Sequence, residues 1–246
     1  MNKAMMVSML FFLGSVEARN SSYVSDRFGY THTSTCPVDY VDLSTDGKLL
    51  TLTPAGAVAA DDDGAALLNL TEPFLFYRKM YPSLVISSNG YVSFANDLTE
   101  ESGGDFSNDC LFPSVPDNQP GALARIMPLH DDLENSGSGG IRTAYYAVCP
   151  RMGNMTSACT VIDWFDWRIR GTLNGFDFQI ILYHQNGEVV MQYGADNPAS
   201  GSASIGIQDG VLNSGVIVSC NDPAQSLNNS AVCLHNPIIF ADGFEQ

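Results

Sequence analysis

The residues best equipped for chemistry lie in one stretch, "PLHDDLE", where His130, Asp131, Asp132 and Glu134 bring four candidate ligands into seven residues. Carboxylate oxygens at that density suit Ca²⁺, which accepts irregular loop geometry where Mg²⁺ demands a near-regular octahedron. Asp131, Asp132 and Glu134 are therefore the candidate calcium ligands, and calcium is the one cofactor the sequence suggests, if it has any. The plainer account is a solvated acidic loop between strands with His130 partly packed, because Asp also serves loops through Asx-turns. A second candidate is "DWFDWRIR", since an exposed indole can stack on a sugar or a cation. In an alternating strand Trp164 and Trp167 face opposite ways, so one belongs to the core and the other is free to face outward. Core packing is the plainer account here too.

Catalytic signatures are missing: the chain has no HExxH, no G-x-S-x-G, no P-loop and no Gly-rich dinucleotide turn. "NSGSGG" has the composition of a flexible loop, not of a nucleophile elbow. A chain this rich in Asp can always offer two carboxylates at glycosidase distance. A secreted hydrolase using two loop carboxylates thus stands as the alternative to a binding module without catalysis, and a purely structural surface protein as a third reading.

The formal charge of −16 repels phosphate backbones and anionic lipid heads, which excludes nucleic acid as a partner. Much of the acid sits in "DDDG" (61–64), "HDDLEN" (130–135) and "GADNP" (194–198), where turn chemistry and solubility account for it. The opening "MNKAMMVSMLFFLGSVEA" has Lys3 ahead of an apolar run and small residues at Val16 and Ala18, so residues 1–18 read as a secretory signal peptide. The run is shorter than the roughly 18–20 residues of a membrane span, and no later segment is long and apolar enough to supply one. The expected location is secreted, extracellular or cell-surface, with the periplasm included. Cys36, Cys110, Cys149, Cys159, Cys220 and Cys233 form an even set without a CxxC pair, which favours disulfides. Proximity pairs Cys149 with Cys159 and Cys220 with Cys233, leaving Cys36 for Cys110. Sequons at Asn20, Asn69, Asn154 and Asn228 mark glycans only where the source glycosylates.

Alternation of apolar residues places the candidate sites on strands. In "SSNGYVSF", Asn89-Gly90 suits the positive φ angles of a type I′ turn, which would pair Ser87 with Val92 and put Val85, Val92 and Phe94 on one face. In "FDFQIILYHQNGEVVMQYG", Asn186-Gly187 separates two runs in which Phe176, Phe178, Ile180, Leu182, Val189, Met191 and Tyr193 share a face. Asp177, Gln179, Gln185, Glu188 and Gln192 then give that hairpin one wet face. No window shows sustained helical spacing. The fold class is all-β, an antiparallel, disulfide-stabilised β-sandwich of jelly-roll type. Residues 19–35 form a polar N-terminal segment, 36–220 one domain, and 221–246 a C-terminal loop and tail.

The ordered segments "LVISSNGYVSF", "ARIMPLHDDLE", "IRTAYY", "IDWFDW", "FDFQIILYHQNGEVVMQYG" and "ASIGIQDG" resemble the nidogen-like (NIDO) extracellular domain of bacterial exported proteins. The resemblance spans about residues 70–210 and implies an extracellular interaction module, with a protein or a glycan as partner. The ending "IIFADGFEQ" resembles a short "IFxDGFE" tail found on exported bacterial proteins. Ile238, Ile239 and Phe240 could equally add an edge strand or serve recognition or sorting.

Overall fold

The computed structural model describes residues 25–33, 35–55, 59–107, 123–151, 157–197, 201–210 and 214–236. The leader (1–18), Cys110, Asn20, Asn154 and the tail (237–246) lie outside them. In chain order the strands are β1 (Thr31–Thr33), β2 (Lys48–Leu49), β3 (Thr53–Pro54), β4 (Gly64–Phe76), β5 (Lys79–Ser87), β6 (Val92–Ser93) and β7 (Arg125–His130). They continue as β8 (Leu133–Tyr146), β9 (Cys159–Ile169), β10 (Phe176–Tyr183), β11 (Glu188–Tyr193), β12 (Ser204–Gln208), β13 (Gly215–Cys220) and β14 (Ala231–His235). One π-helical turn, Glu100–Gly104, follows β6.

These strands form two seven-stranded antiparallel sheets, β1-β14-β11-β10-β9-β8-β2 and β13-β12-β7-β6-β5-β4-β3. The sandwich expected from the sequence is present, and it takes in Thr31–Thr33 and Ala231–His235, which lie outside the 36–220 span expected for the domain. Between the sheets lies a core that includes Phe74, Phe76, Ile86, Val92, Trp164, Phe178, Ile180 and Leu182. The segment "NSGSGG" is not a loop. It lies within β8 as an irregularity between Asn135 and Gly140, where the Asn135 carboxamide oxygen accepts from the Gly137 and Gly139 amides.

Both Asn-Gly turns depart from the two-residue geometry. Only Gly90 and Gly187 have positive φ, +71° and +66°, so neither loop is type I′, which needs both central residues there. The first loop spans three residues, with the Ser87 amide bonded to the Tyr91 carbonyl and Ile86 opposite Val92. That one-residue shift reverses the faces. Leu84, Ile86, Val92 and Phe94 enter the core, and Val85 turns outward with Ser87, Tyr91 and Ser93. The second loop spans four residues, yet Ile180 opposite Met191 and Leu182 opposite Val189 keep the expected inward set. The two-residue turn is Tyr77-Arg78 between β4 and β5, with φ of 46° and 64° in residues that gain nothing there from Asn or Gly chemistry.

Neither sheet leaves its outer face bare. After β1 the chain runs from Cys36 to Leu43 across the strands of the first sheet: Cys36 is bonded to Cys233 of β14, and Asp39 and Gln192 of β11 exchange backbone–carboxamide bonds. Val41 and Gln179 of β10 do the same, and the Tyr40 hydroxyl donates to Asp163 of β9 at 2.6 Å. Gln179 and Gln192, expected on a wet face, are therefore buried over a second small core of Val41, Leu43, Val161, Ile181 and Val190. Residues 99–105 cover part of the other sheet in the same manner, with Ser87 and Ser93 donating to the carbonyls of Gly103 and Ser102.

Candidate functional site

The acidic residues gather where the chain passes from one sheet to the other. Asp131 and Asp132 connect β7 to β8, and Asp62 and Asp63 precede β4. The β5–β6 loop holds both segments. Ser88 donates to the Asp62 carbonyl, and its Oγ accepts the Gly64 amide at 2.9 Å. Buried Asn89 donates from Nδ2 to Asp63 at 2.9 Å and accepts the Leu133 amide on Oδ1 at 3.0 Å. Gly90 has no room for a side chain, because a Cβ would lie 2.0 Å from the Leu129 carbonyl oxygen.

The cluster that results is not the one expected from the sequence. One carboxylate oxygen each from Asp62, Asp63 and Asp132 lie within 4.8 Å of one another. Asp131 instead accepts its neighbour's amide at 2.9 Å and the Ser202 hydroxyl at 2.5 Å. Glu134 turns to Arg168 at 3.0 Å and to the Gly171 amide at 3.2 Å. His130 is buried beside Tyr91, its Nε2 3.2 Å from the Asp105 carbonyl, and burial depresses its pKa. Of the three proposed calcium ligands only Asp132 joins the cluster, since consecutive residues at a turn leave in different directions. Asp62 and Asp63 sit about 70 positions upstream (132 − 62), within the "DDDG" run whose acidity was assigned to turn chemistry. Arg170, after β9, lies 3.1 Å from Asp62 and 3.7 Å from Asp132. Burial raises the pKa of both carboxyls, against the lowering effect of that guanidinium.

Trp164 and Trp167 are both fully buried, which corrects the expectation that one could face outward. A bulge is the reason: the β9–β10 register shifts between Phe176 and Phe178, and Asp166 takes a φ of +53°. An extra residue brings i and i+3 to the same face. Trp164 stacks on Phe178 at 5.0 Å and donates to the Ser87 carbonyl, while Trp167 donates to the Gly140 carbonyl.

The cysteine pairing also changes. Cys149–Cys159 is present, but Cys36 is joined to Cys233, which rules out both Cys220–Cys233 and Cys36–Cys110. Cys220 is disulfide-bonded as well. Sequence proximity fails for Cys36 because β1 pairs with β14, which brings the two ends of the domain together.

A groove opens along one side of the sandwich. β4 is held on its outer flank by β3 at Gly64 and Ala65 only, and β8 by β2 at Arg142 and Thr143 only, so long edges of both strands meet no further strand among the described residues. Between them lies a cavity of about 350 Å³ lined by Lys48, Asn69, Thr71, Thr143, Tyr145 and Tyr146. A second of about 250 Å³ shares Lys48 and is walled by Leu49, Leu67 and Leu98, all of them exposed. The Tyr145 hydroxyl, donating to Glu72 at 2.5 Å, bridges the two edges.

A family profile described as "NIDO related" matches residues 29–239. The chain belongs to the NIDO-related family. No curated protein and no solved structure matches it. An extracellular, binding-type β module is consistent with this membership, and the disulfides fit that location. Among the described residues no helix is long and apolar enough to cross a membrane. The matched span includes β1 and β14, the two strands joined through Cys36–Cys233.

Proposed function

We propose that this NIDO-related chain is an exported, non-catalytic binding module that takes an extended segment of an extracellular protein along the groove between β4 and β8. The observation that carries the reading is the pair of open strand edges facing one groove. An unpaired edge offers backbone donors and acceptors to an incoming strand, and alternating pockets beside it read the side chains. The apolar end at Leu49, Leu67 and Leu98 and the tyrosine end at Tyr145 and Tyr146 supply such pockets. Tyr supplies contact area at little conformational cost.

A library of extended peptides displayed against the oxidised protein should yield binders. Leu67→Lys in the groove should weaken them at least tenfold, whereas Leu173→Lys on the exposed β9–β10 connection should leave them unchanged. Glycan arrays and hydrolase substrates are run in parallel. Glycan binding without peptide binding would replace the partner class. Turnover abolished by Asp132→Asn would replace the reading with a hydrolase.

A further inference from the structure

We infer that Asp62, Asp63 and Asp132 form a binding site for a divalent cation, with Ca²⁺ the ion that fits, at the point where the chain crosses between the sheets. An acidic cluster alone would not carry this. The second observation is that Asp62, only 8 % exposed, has a buried Oδ1 with no hydrogen-bond partner, and Oδ1 of Asp132 is likewise buried and unpartnered. A buried polar atom without a partner is costly, and a carboxylate oxygen more so than a neutral group. Arg170 does not remove the cost, since it approaches the Oδ2 atoms of both residues and remains half-exposed. Three carboxylates against one guanidinium leave a formal charge of −2, which a divalent ion balances.

The supports of the site are fixed before any ion arrives. Asn89 holds Asp63 at 2.9 Å, Ser88 holds the Asp62 backbone, and the Asp132 amide is held by the Asp131 side chain at 2.9 Å. All the donors are oxygens, which both ions accept, but they stand on loop residues in an irregular arrangement that Ca²⁺ tolerates better than Mg²⁺, with its demand for a near-regular octahedron. Because Asp62 and Asp63 lead into β4 of one sheet and Asp132 into β8 of the other, a bound ion would tie the two layers together. The site is separate from the groove, so either proposal can fail without the other.

The test is isothermal titration of the oxidised protein with CaCl₂ and with MgCl₂, together with melting temperatures in CaCl₂ and in NaCl of equal ionic strength. Calcium should bind and should raise the melting temperature beyond the sodium control, with magnesium at least tenfold weaker. Asp62→Asn and Asp132→Asn should each weaken calcium at least tenfold, Glu134→Gln should leave it unchanged, and Arg170→Gln should strengthen it severalfold by removing a competing positive charge. No calcium heat from the wild-type protein, or a thermal response equal to sodium's, overturns the proposal even if the variants fail to fold. Retention of calcium binding in both Asp variants, or its loss in Glu134→Gln, overturns it as well.

Discussion

Asp163 shows what a single buried residue does to this protein. It lies under the Cys36–Leu43 segment, 4 % exposed, accepting from the Tyr40 hydroxyl at 2.6 Å, and burial raises its pKa from 3.8 to about 6. The Tyr40 and Gln179 hydrogen bonds pull it down only in part, and nearby Asp177 adds to the rise. A carboxyl whose folded pKa lies above its unfolded value binds its proton more tightly when folded. Its contribution is therefore most favourable below pH 4 and is lost as pH rises through 6, by at most about 1.4 kcal/mol per pH unit between the two pKa values. Asn at this position can still accept from Tyr40 and cannot ionise. Asp163→Asn should accordingly melt higher than wild type at pH 7.5 and lose that advantage by pH 4. Melting curves of the two proteins that stay parallel from pH 4 to 8 would show that Asp163 carries no such load.

At the level of elements, loop length decided the register more than turn chemistry did. Asn-Gly was legible as a hairpin signal at 89–90 and 186–187, and both sites are hairpin loops with a positive-φ glycine. Loop lengths of three and four residues were not legible, because Asn89 is recruited to tie Asp63 to Leu133 and is not spent on the turn. Tyr77-Arg78 illustrates the converse. Left-handed backbone at a non-glycine residue costs on the order of 1–3 kcal/mol, and here the rings of Phe28, Tyr30 and Phe76 pack on Tyr77 while Arg78 lies over Phe28. Gly187 needs its freedom twice over, since its φ is +66° and a Cβ would come within 2.7 Å of both Asn236 Nδ2 and the Leu75 carbonyl oxygen. Gly187→Val should lower stability by roughly 1–3 kcal/mol in urea denaturation. An unchanged urea midpoint would contradict this loop.

On the scale of the whole molecule, closure of the domain rests on its first and last described strands meeting. The Cys36–Cys233 bridge joins positions 197 apart, so the chain-entropy account allows it up to about 5 kcal/mol. It also anchors the start of the segment that covers Gln179 and Gln192. A non-reducing peptide map should show Cys36 linked to Cys233 and Cys149 to Cys159, and Cys36→Ser should lower the melting temperature substantially more than Cys149→Ser. Recovery of a Cys220–Cys233 peptide would exclude this arrangement.

Residues 176–193 show what the sequence determined by itself. Alternation in that stretch fixes which side chains face inward, because a strand's side-chain period is local to the strand. The same locality made the all-β class, the disulfide habit and the family resemblance readable. What lies against the other face of a strand is not local. Gln179 and Gln192 look solvated until residues 39–41 are laid over them, and Trp164 and Trp167 look opposed until a bulge at Asp166 turns them the same way. For the acidic site the sequence supplied both "DDDG" and "HDDLE" but not their meeting. Only the packing of β4, the β5–β6 loop and the β7–β8 turn brings Asp62 and Asp63 to Asp132, and that packing depends on contacts between residues dozens of positions apart.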